Sequence, residues 1–204
     1  MIKIERSKIL ILCAFAVGVL WAFSLRFLLA ADTSTHYHAN FAVYVDGTKD
    51  PFDNFTFYEE VTACNPEYIN EPTSRAHLHD NISHIIHVHD TAVTWGHFFA
   101  NLEYSISKDA LQTDDGIFID GQDGKQLRFI LNGKEVGDVT NKLIESEDTL
   151  LVDYGADNIE SLLLRYADIP EEAAEYNLQQ DPAACSGSHE DSFWARVKRT
   201  LGVE

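Results

Sequence analysis

Three His-x-His units hold the residues with the clearest potential for chemistry. Eight of the nine histidines lie between His36 and His97, and six of these eight form the units. Side chains alternate between the two faces of a β-strand, so each unit would place two imidazoles on one side, about 6.5–7 Å apart. Neighbouring strands would then bring three or four ring nitrogens to one ion. The sequence predicts a metal site formed by His36, His38, His77, His79, His87 and His89.

Side chains close to these units extend the candidate site. Asp80 and Asp90 each follow a His-x-His unit directly. A carboxylate in such a position orients a ligating imidazole through its second nitrogen or ligates the metal itself, although Asp is also common in turns. His97 lies on a predicted helix, as either a further ligand or a surface residue. We therefore expect Asp80, Asp90 and His97 to surround the ligands.

The available ligand types narrow the choice of metal. Met1 is the only methionine, and no two cysteines have the two-residue spacing of a thiolate site. This composition disfavours cuprous copper, which prefers soft sulfur ligands, whereas three or four imidazoles suit zinc and copper(II). The expected cofactor is zinc or copper(II), with copper(II) bound more tightly by the usual order of affinities.

The three cysteines fit an exported protein. Cys13 lies inside an apolar segment, where it is a small buried hydrophobe. Cys64 and Cys185 remain as an even pair, and oxidising conditions outside the cytoplasm would allow a disulfide between them. Two free thiols are the alternative.

The histidine units fall on segments whose patterns predict β-strands. Residues 40–46 alternate two sets of side chains and stop at a glycine, which predicts a half-buried strand followed by a turn. Residues 76–79 and 84–89 predict two short strands joined by a hairpin. On the second of these strands, Ile86 and Val88 share one face and the histidine pair shares the other. That strand can present ligands while its reverse packs into the core.

The rest of the exported region adds helices and further strands. Residues 94–102 have helical periodicity, with Thr94 as the candidate cap. Further strands are predicted over residues 117–120, 127–132 and 150–154. A helical turn over residues 139–144 and a short helix after Pro170 complete the pattern. The predicted fold is strand-rich α+β: an antiparallel histidine-bearing sheet with a short helix, then a small α+β half, behind a single N-terminal transmembrane helix.

The first 31 residues form a basic and apolar leader. Residues 9–25 carry no charge, and about 20 apolar residues suffice to span a bilayer. Lys3, Arg6 and Lys8 precede the apolar run, which favours a cytoplasmic amino terminus and an exported remainder. A cleaved signal peptide is the alternative. The preferred interpretation is a single-pass anchor in the cell membrane, with the domain outside the cytoplasm.

The chain is expected to have three parts. Residues 1–31 are the anchor or signal, residues 32–189 the acidic extracytoplasmic domain, and residues 190–204 a C-terminal amphipathic helix. That helix either rests on the lipid surface near the anchor or, as preferred, packs on the core of the domain.

Charge limits the partners. The chain has 33 acidic and 15 basic residues, a formal charge of −18. Nucleic-acid binding needs a basic surface, so this class of partner is excluded, and 204 residues leave no room for a large multidomain enzyme. The expected partners are the membrane and a metal ion, and no protein partner is predicted.

The histidine motifs also resemble those of a widespread set of small, membrane-anchored or secreted bacterial and archaeal proteins with no assigned activity. The resemblance covers residues 36–155 and continues at 181–188. It is carried by HYHANFAVYVDG, AHLHDNISHIIHVHDTAVTWGHFF, and LNGKEV through LLVDYG. It implies a metal site that shares His36, His38, His77, His79 and His87. The chain departs from the set at residues 81–84, where relatives tend to have a glycine, and at His89, which is an additional imidazole.

Three functions are compatible with these observations. The preferred one is an anchored extracytoplasmic protein that captures, buffers or hands on zinc or copper. The second is a zinc-dependent hydrolase or lyase, in which three histidines leave one coordination position for an activated water. The third is an envelope interaction module whose histidines respond to pH.

Overall fold

The computed structural model describes residues 6–30, 35–58, 72–79, 81–179 and 193–202. Asp80, Cys64 and Cys185 lie outside these ranges, so the predicted disulfide and the role of Asp80 stay predictions. Contacts divide the chain into two compact units. One unit comprises residues 1–33 with residues 187–204, and the other comprises residues 34–186.

The larger unit is built mainly of strands. The described strands are β1 (Tyr37–Val45), β2 (Thr48–Lys49), β3 (Ala76–His77), β4 (Ile85–Val88), β5 (Ser105–Ile106), β6 (Ala110–Thr113), β7 (Gly116–Ile119), β8 (Gln126–Leu131), β9 (Lys134–Val136) and β10 (Thr149–Gly155). The described α-helices of the whole chain are α1 (Arg6–Leu29), α2 (Pro72–Arg75), α3 (Trp95–Asn101), α4 (Ile159–Ala167), α5 (Ala173–Tyr176) and α6 (Phe193–Leu201). The predicted strand-rich α+β fold with one N-terminal apolar helix is confirmed.

A seven-stranded mixed sheet organises this unit. Its strand order is β3-β4-β1-β10-β8-β9, and β2 pairs with β1. The histidine-bearing strands β3, β4 and β1 are antiparallel neighbours, whereas β1 and β10 are parallel. The parallel pair joins the two predicted halves into one sheet. Strands β5, β6 and β7 form a separate antiparallel sheet.

Both faces of the central strands are covered. Phe41, Val43, Ile86 and Val88 point into the main core, which also contains the buried aromatic residues of α3. A smaller core on the opposite face contains Leu162 of α4. Strand β1 is consequently buried along most of its length and differs from the half-buried strand that its alternating pattern predicts.

Local signals explain the elements next to the histidines. Thr94 caps α3, as predicted, by accepting a hydrogen bond from the backbone N–H of His97. Asn81 lies in the connection between β3 and β4 with φ of 59°, a left-handed conformation that Asn adopts more readily than most residues. Residues 139–144 contain one hydrogen-bonded turn, from Val139 to Lys142, and no helix.

The smaller unit contains the apolar helix and the C-terminal helix. Its helix α1 has 24 residues, and residues 7–29 are long and apolar enough to cross a membrane, a test that a signal sequence also passes. Cys13 is an exposed free thiol on this helix. Contacts group α6 with α1.

Candidate metal site

Three adjacent strands carry the histidines to one face of the main sheet. In the β-sheet register, His87 of β4 lies opposite His38 of β1 on one side and opposite His77 of β3 on the other. Residues two apart on a strand share a face, so the other histidine of each unit (His36, His79 and His89) extends this row. The neighbours of these histidines in sequence, Ile86 and Val88, pack into the main core behind them.

The structure brings together the six histidines predicted as ligands. The ring of His87 is at the centre of the cluster. Its ring-centroid distances are 4.4 Å to His38, 5.2 Å to His79, 5.9 Å to His77, 6.1 Å to His36 and 6.3 Å to His89. Further ring contacts join His36 to His38, at 4.8 Å, and His36 to His89, at 4.7 Å. The ring of His77 also contacts those of His89, at 5.0 Å, and His79, at 6.2 Å.

Three of the six are already close enough to share one ion. The candidate ligand atoms of His36, His38 and His87 all lie within 4.8 Å of one another. Nε2 of His38 is 3.1 Å from Nδ1 of His87. Two nitrogens bound tetrahedrally to zinc at about 2.0–2.1 Å are separated by roughly 3.3 Å, so this pair is nearly in place for coordination.

The cluster is largely removed from solvent. His38, His77, His79 and His87 are at most 4% exposed, while His36 is partly exposed. Burial, reinforced by the neighbouring histidines, lowers the pKa of His87 far below its usual value and lowers the pKa of His89 to about 3. Both rings are therefore neutral at pH 7 and able to ligate a metal.

Two buried ring nitrogens support a ligand at this position. Among the described residues, Nε2 of His87 and Nε2 of His89 have no hydrogen-bond partner. Leaving a buried polar atom unsatisfied costs about 1–3 kcal/mol, and such atoms are rare in folded proteins. A bound cation is one partner that would remove this cost.

Asn177, directly after α5, determines the protonation of His38. Oδ1 of Asn177 accepts a hydrogen bond from the backbone N–H of His38 at 2.8 Å and lies 2.9 Å from Nδ1 of the same residue. Because this oxygen is an acceptor, Nδ1 of His38 must carry the proton. Nε2 of His38 then has the lone pair, and in the metal-free chain it accepts a hydrogen bond from Nδ1–H of His87. An ion between these two nitrogens would replace that proton.

Helix α5 covers the cluster from one side. The ring of Tyr176 lies 5.7 Å from the ring of His38 and 6.5 Å from that of His87. Asn40, on the same face of β1 as His38, holds the start of this helix because its Oδ1 accepts the backbone N–H groups of Glu172 and Ala173 at 3.0 and 2.9 Å. The last helical turn is thereby fixed next to the imidazoles.

Sequence reasoning missed the contributions of Asn40, Tyr176 and Asn177. Asn40 could have been found from the sequence, because it is two residues after His38 on the same strand and its amide therefore lies on the ligand face. Nothing local in the sequence connects residues 176 and 177 with histidines about 140 positions earlier, because that contact depends on the packing of α5.

Two of the other predicted partners, Asp90 and His97, make hydrogen bonds with other residues. In the described part of the chain, the carboxylate of Asp90 binds the side chain of Arg75 at 2.7 Å and the backbone N–H of Thr91 at 2.6 Å. His97 is exposed, and its Nδ1 accepts the backbone N–H of Thr94 in the cap of α3. The described hydrogen bonds of these two residues do not reach the cluster.

His84, which has the opposite parity to His87, is also outside the cluster. Its Nε2 lies 3.0 Å from the carboxylate of Glu172, just before α5. The described side-chain contact of His84 is therefore with the segment that covers the site.

Comparisons with known proteins leave the function to be argued from the site itself. The resemblance of the histidine motifs to an uncharacterised prokaryotic set stays a prediction, and the cluster geometry stands independently of it. Neither protein-family models, nor curated proteins, nor solved structures give a match to this chain.

Proposed function

We propose that this protein is a membrane-anchored, extracytoplasmic binding protein for zinc or copper(II). The observation that carries the proposal is the buried cluster of imidazoles, in which His38 of β1, His87 of β4 and His36, directly before β1, already present ligand atoms within 4.8 Å. Neutral imidazoles suit both ions, and the described side chains of the cluster include no sulfur ligand, which favours these ions over cuprous copper.

Charge favours the accumulation of cations around this domain. Residues 1–31 carry a net +3 and residues 190–204 a net zero, so residues 32–189 carry −18 − 3 = −21. A strongly negative surface raises the local concentration of cations and increases their rate of association. This is useful for a protein that captures a dilute metal ion.

The anchor half of the proposal depends on α1. Its length and apolarity fit a membrane span, and the basic residues before it favour a cytoplasmic amino terminus. The metal-binding domain then lies on the outer side of the membrane.

Catalysis is the second candidate, because three histidines are the protein ligands of some catalytic zinc sites. A hydrolytic site also needs a general base next to the metal-bound water. Asp90, the described acidic residue that directly follows a histidine unit, is paired with Arg75. Binding is therefore preferred over catalysis.

The pH-responsive module is disfavoured by the same burial that favours metal binding. A switch at physiological pH needs histidines that titrate between about pH 5 and 8. The pKa of His89 is lowered to about 3 by burial and by its neighbours, chiefly His77 and His36. This histidine would stay neutral across that range.

Elemental analysis tests the proposal on the full chain in detergent, purified without added metal and then titrated with zinc and copper(II). We expect at least one ion per chain. The double variant His38→Ala/His87→Ala should weaken binding by more than the roughly 100-fold that losing an outer partner of a ligand costs. His97→Ala, which removes an exposed histidine outside the cluster, should bind like the wild type. A wild-type chain that neither contains nor takes up either metal would overturn the proposal.

A further inference from the structure

The C-terminal helix α6 is fixed to the last turn of α1. Arg196 donates to the backbone carbonyls of Phe27 and Leu28 at 2.7 and 3.0 Å. Its guanidinium also lies over the ring of Phe27, 4.7 Å from the centroid, and the ring of Phe193 is 5.8 Å from that of Phe27. The final carbonyls of a helix have no partner within the helix, so Arg196 satisfies groups that α1 leaves open.

Part of the surface of α6 is apolar and exposed. Trp194 and Leu201 are 71% and 58% exposed, and Phe193, whose ring contacts Phe27, is 63% exposed. At 100° per residue, Trp194, Val197 and Leu201 share one stripe of the helix, whereas Arg196 and the buried Thr200 belong to the stripe next to α1. The helix therefore has one face attached to α1 and a neighbouring apolar face on which Trp194 and Leu201 are exposed.

The sequence of the same helix is basic. The sequence of α6 contains Arg196, Lys198 and Arg199 and no acidic residue, and Arg26 lies in the last turn of α1. This basic group contrasts with the strongly acidic composition of residues 32–189. Aromatic and basic side chains are the types that concentrate at the boundary between the bilayer and water.

We propose that α6 binds the phospholipid surface around the outer end of α1. Its apolar face enters the region between headgroups and acyl chains, about 5–10 Å deep, and its basic residues contact anionic headgroups. The choice of lipid as the partner follows from continuity, because the last turn of a membrane-spanning helix lies at the headgroup level and α6 is attached to that turn. The inference rests on the anchor half of the proposed function and is independent of the metal.

Fluorescence of Trp194 tests this placement in the full chain, reconstituted in vesicles. Trp21→Phe removes the tryptophan of α1, and Trp95 is fully buried, so Trp194 is the tryptophan that can respond to its surroundings. Lipids brominated near the headgroup end of the acyl chain should quench most of the Trp194 emission. Trp21→Phe/Trp194→Phe is the matched control and should show no such quenching.

Three outcomes would contradict the proposal, and they are distinguishable. Trp194 that resists brominated lipid shows that α6 lies in water or on the domain. Quenching should be stronger in vesicles with phosphatidylglycerol than in phosphatidylcholine vesicles, and Lys198→Gln/Arg199→Gln should lose this difference. Equal quenching of the wild type in both kinds of vesicle, or a double variant that keeps the difference, overturns the role of anionic headgroups. An intact mass that lacks the leader, measured on the chain extracted from membranes, overturns the anchor as well and leaves the metal proposal to its own experiment.

Discussion

His38 has its protonation determined by a side chain far away in sequence. Asn177 accepts both the backbone N–H and Nδ1–H of His38, which leaves Nε2 as the ligating atom. Residues that fix the tautomer of a ligating histidine contribute to metal affinity without touching the metal. Asn177 is therefore a positioning residue of the candidate site.

Asn177→Leu should weaken zinc binding by about 10–100-fold, because two donors of His38 lose their acceptor and the ring loses its orientation. Competition with a chelator of known affinity measures the change. Asn141→Leu, at an exposed position outside the cluster, is the matched control. Equal affinity in both variants, with thermal unfolding like that of the wild type, would show that Asn177 does not position His38.

Acid should destabilise the metal-free chain. Burial and neighbouring histidines lower the pKa of His87 and His89 in the folded state, so the unfolded chain binds protons there first as the pH falls below about 6.5. The stabilisation is present above pH 6.5 and is lost toward pH 3, by up to about 1.4 kcal/mol per pH unit for each histidine. Urea unfolding with a chelator at pH 7, 6 and 5 measures the slope.

The variant His87→Gln/His89→Gln is the control for this pH dependence. It should retain a shallower slope, because the remaining titratable groups still contribute. A wild-type chain whose free energy of unfolding is constant between pH 7 and 5 would contradict the lowered pKa values of both residues.

At the scale of elements, the spacing of the histidines predicted which side chains share a face, and the predicted hairpin paired β3 with β4, whereas the pairing of β1 with β4 was not predicted. The parity of His87 with His89, against Ile86 with Val88, predicted a ligand face and a core face on β4, and the structure has both. Alternation on β1 predicted a half-buried strand incorrectly, because residues 34–186 cover both faces of the sheet. Alternation reports which residues share a face but not whether the second face is covered.

The helices after β10 were the least predictable part of the domain. For residues 156–184, the sequence pattern predicted only a short helix after Pro170, whereas the structure has both α4 and α5 there. Asn158 caps α4 through its side chain, a local signal that was present in the sequence. The use of α5 as a cover for imidazoles was not predictable, since it depends on Asn40, Asn177 and long-range packing.

An ion pair holds α4 against the sheet and allows a stability prediction. The buried carboxylate of Asp153, on β10, accepts a hydrogen bond from Arg165 of α4 at 2.6 Å. Arg165→Met would leave this carboxylate buried without its cation, and we expect a loss of about 3–5 kcal/mol in the free energy of unfolding. Denaturant titration of the metal-free chain measures it.

Arg128→Met provides the comparison for this prediction. Arg128 pairs with Glu135, whose side chain is about half exposed, so its removal should cost about 0–1 kcal/mol. Similar losses in the two variants would show that burial of Asp153 does not determine the strength of its ion pair.

At the scale of the whole molecule, metal binding should stabilise the fold, because the ligands come from strands distant in sequence. A ligand that binds only the folded state adds about 2.7 kcal/mol at a free concentration 100 times its dissociation constant. Differential scanning of the full chain in detergent should show a rise in Tm with zinc or copper(II), and a chelator should reverse it. His38→Ala/His87→Ala should show no rise. A Tm that does not change with metal would contradict binding by the folded cluster.

The short interval between α1 and β1 has a consequence for how a bound ion would leave. Seven residue steps separate Leu29 from His36, and a chain of that length spans at most about 25 Å when fully extended. With α1 in a bilayer, as proposed, an ion held by His36 would stay within that distance of the end of the anchor. A recipient embedded in the same membrane would then be closer to the ion than a freely diffusing one.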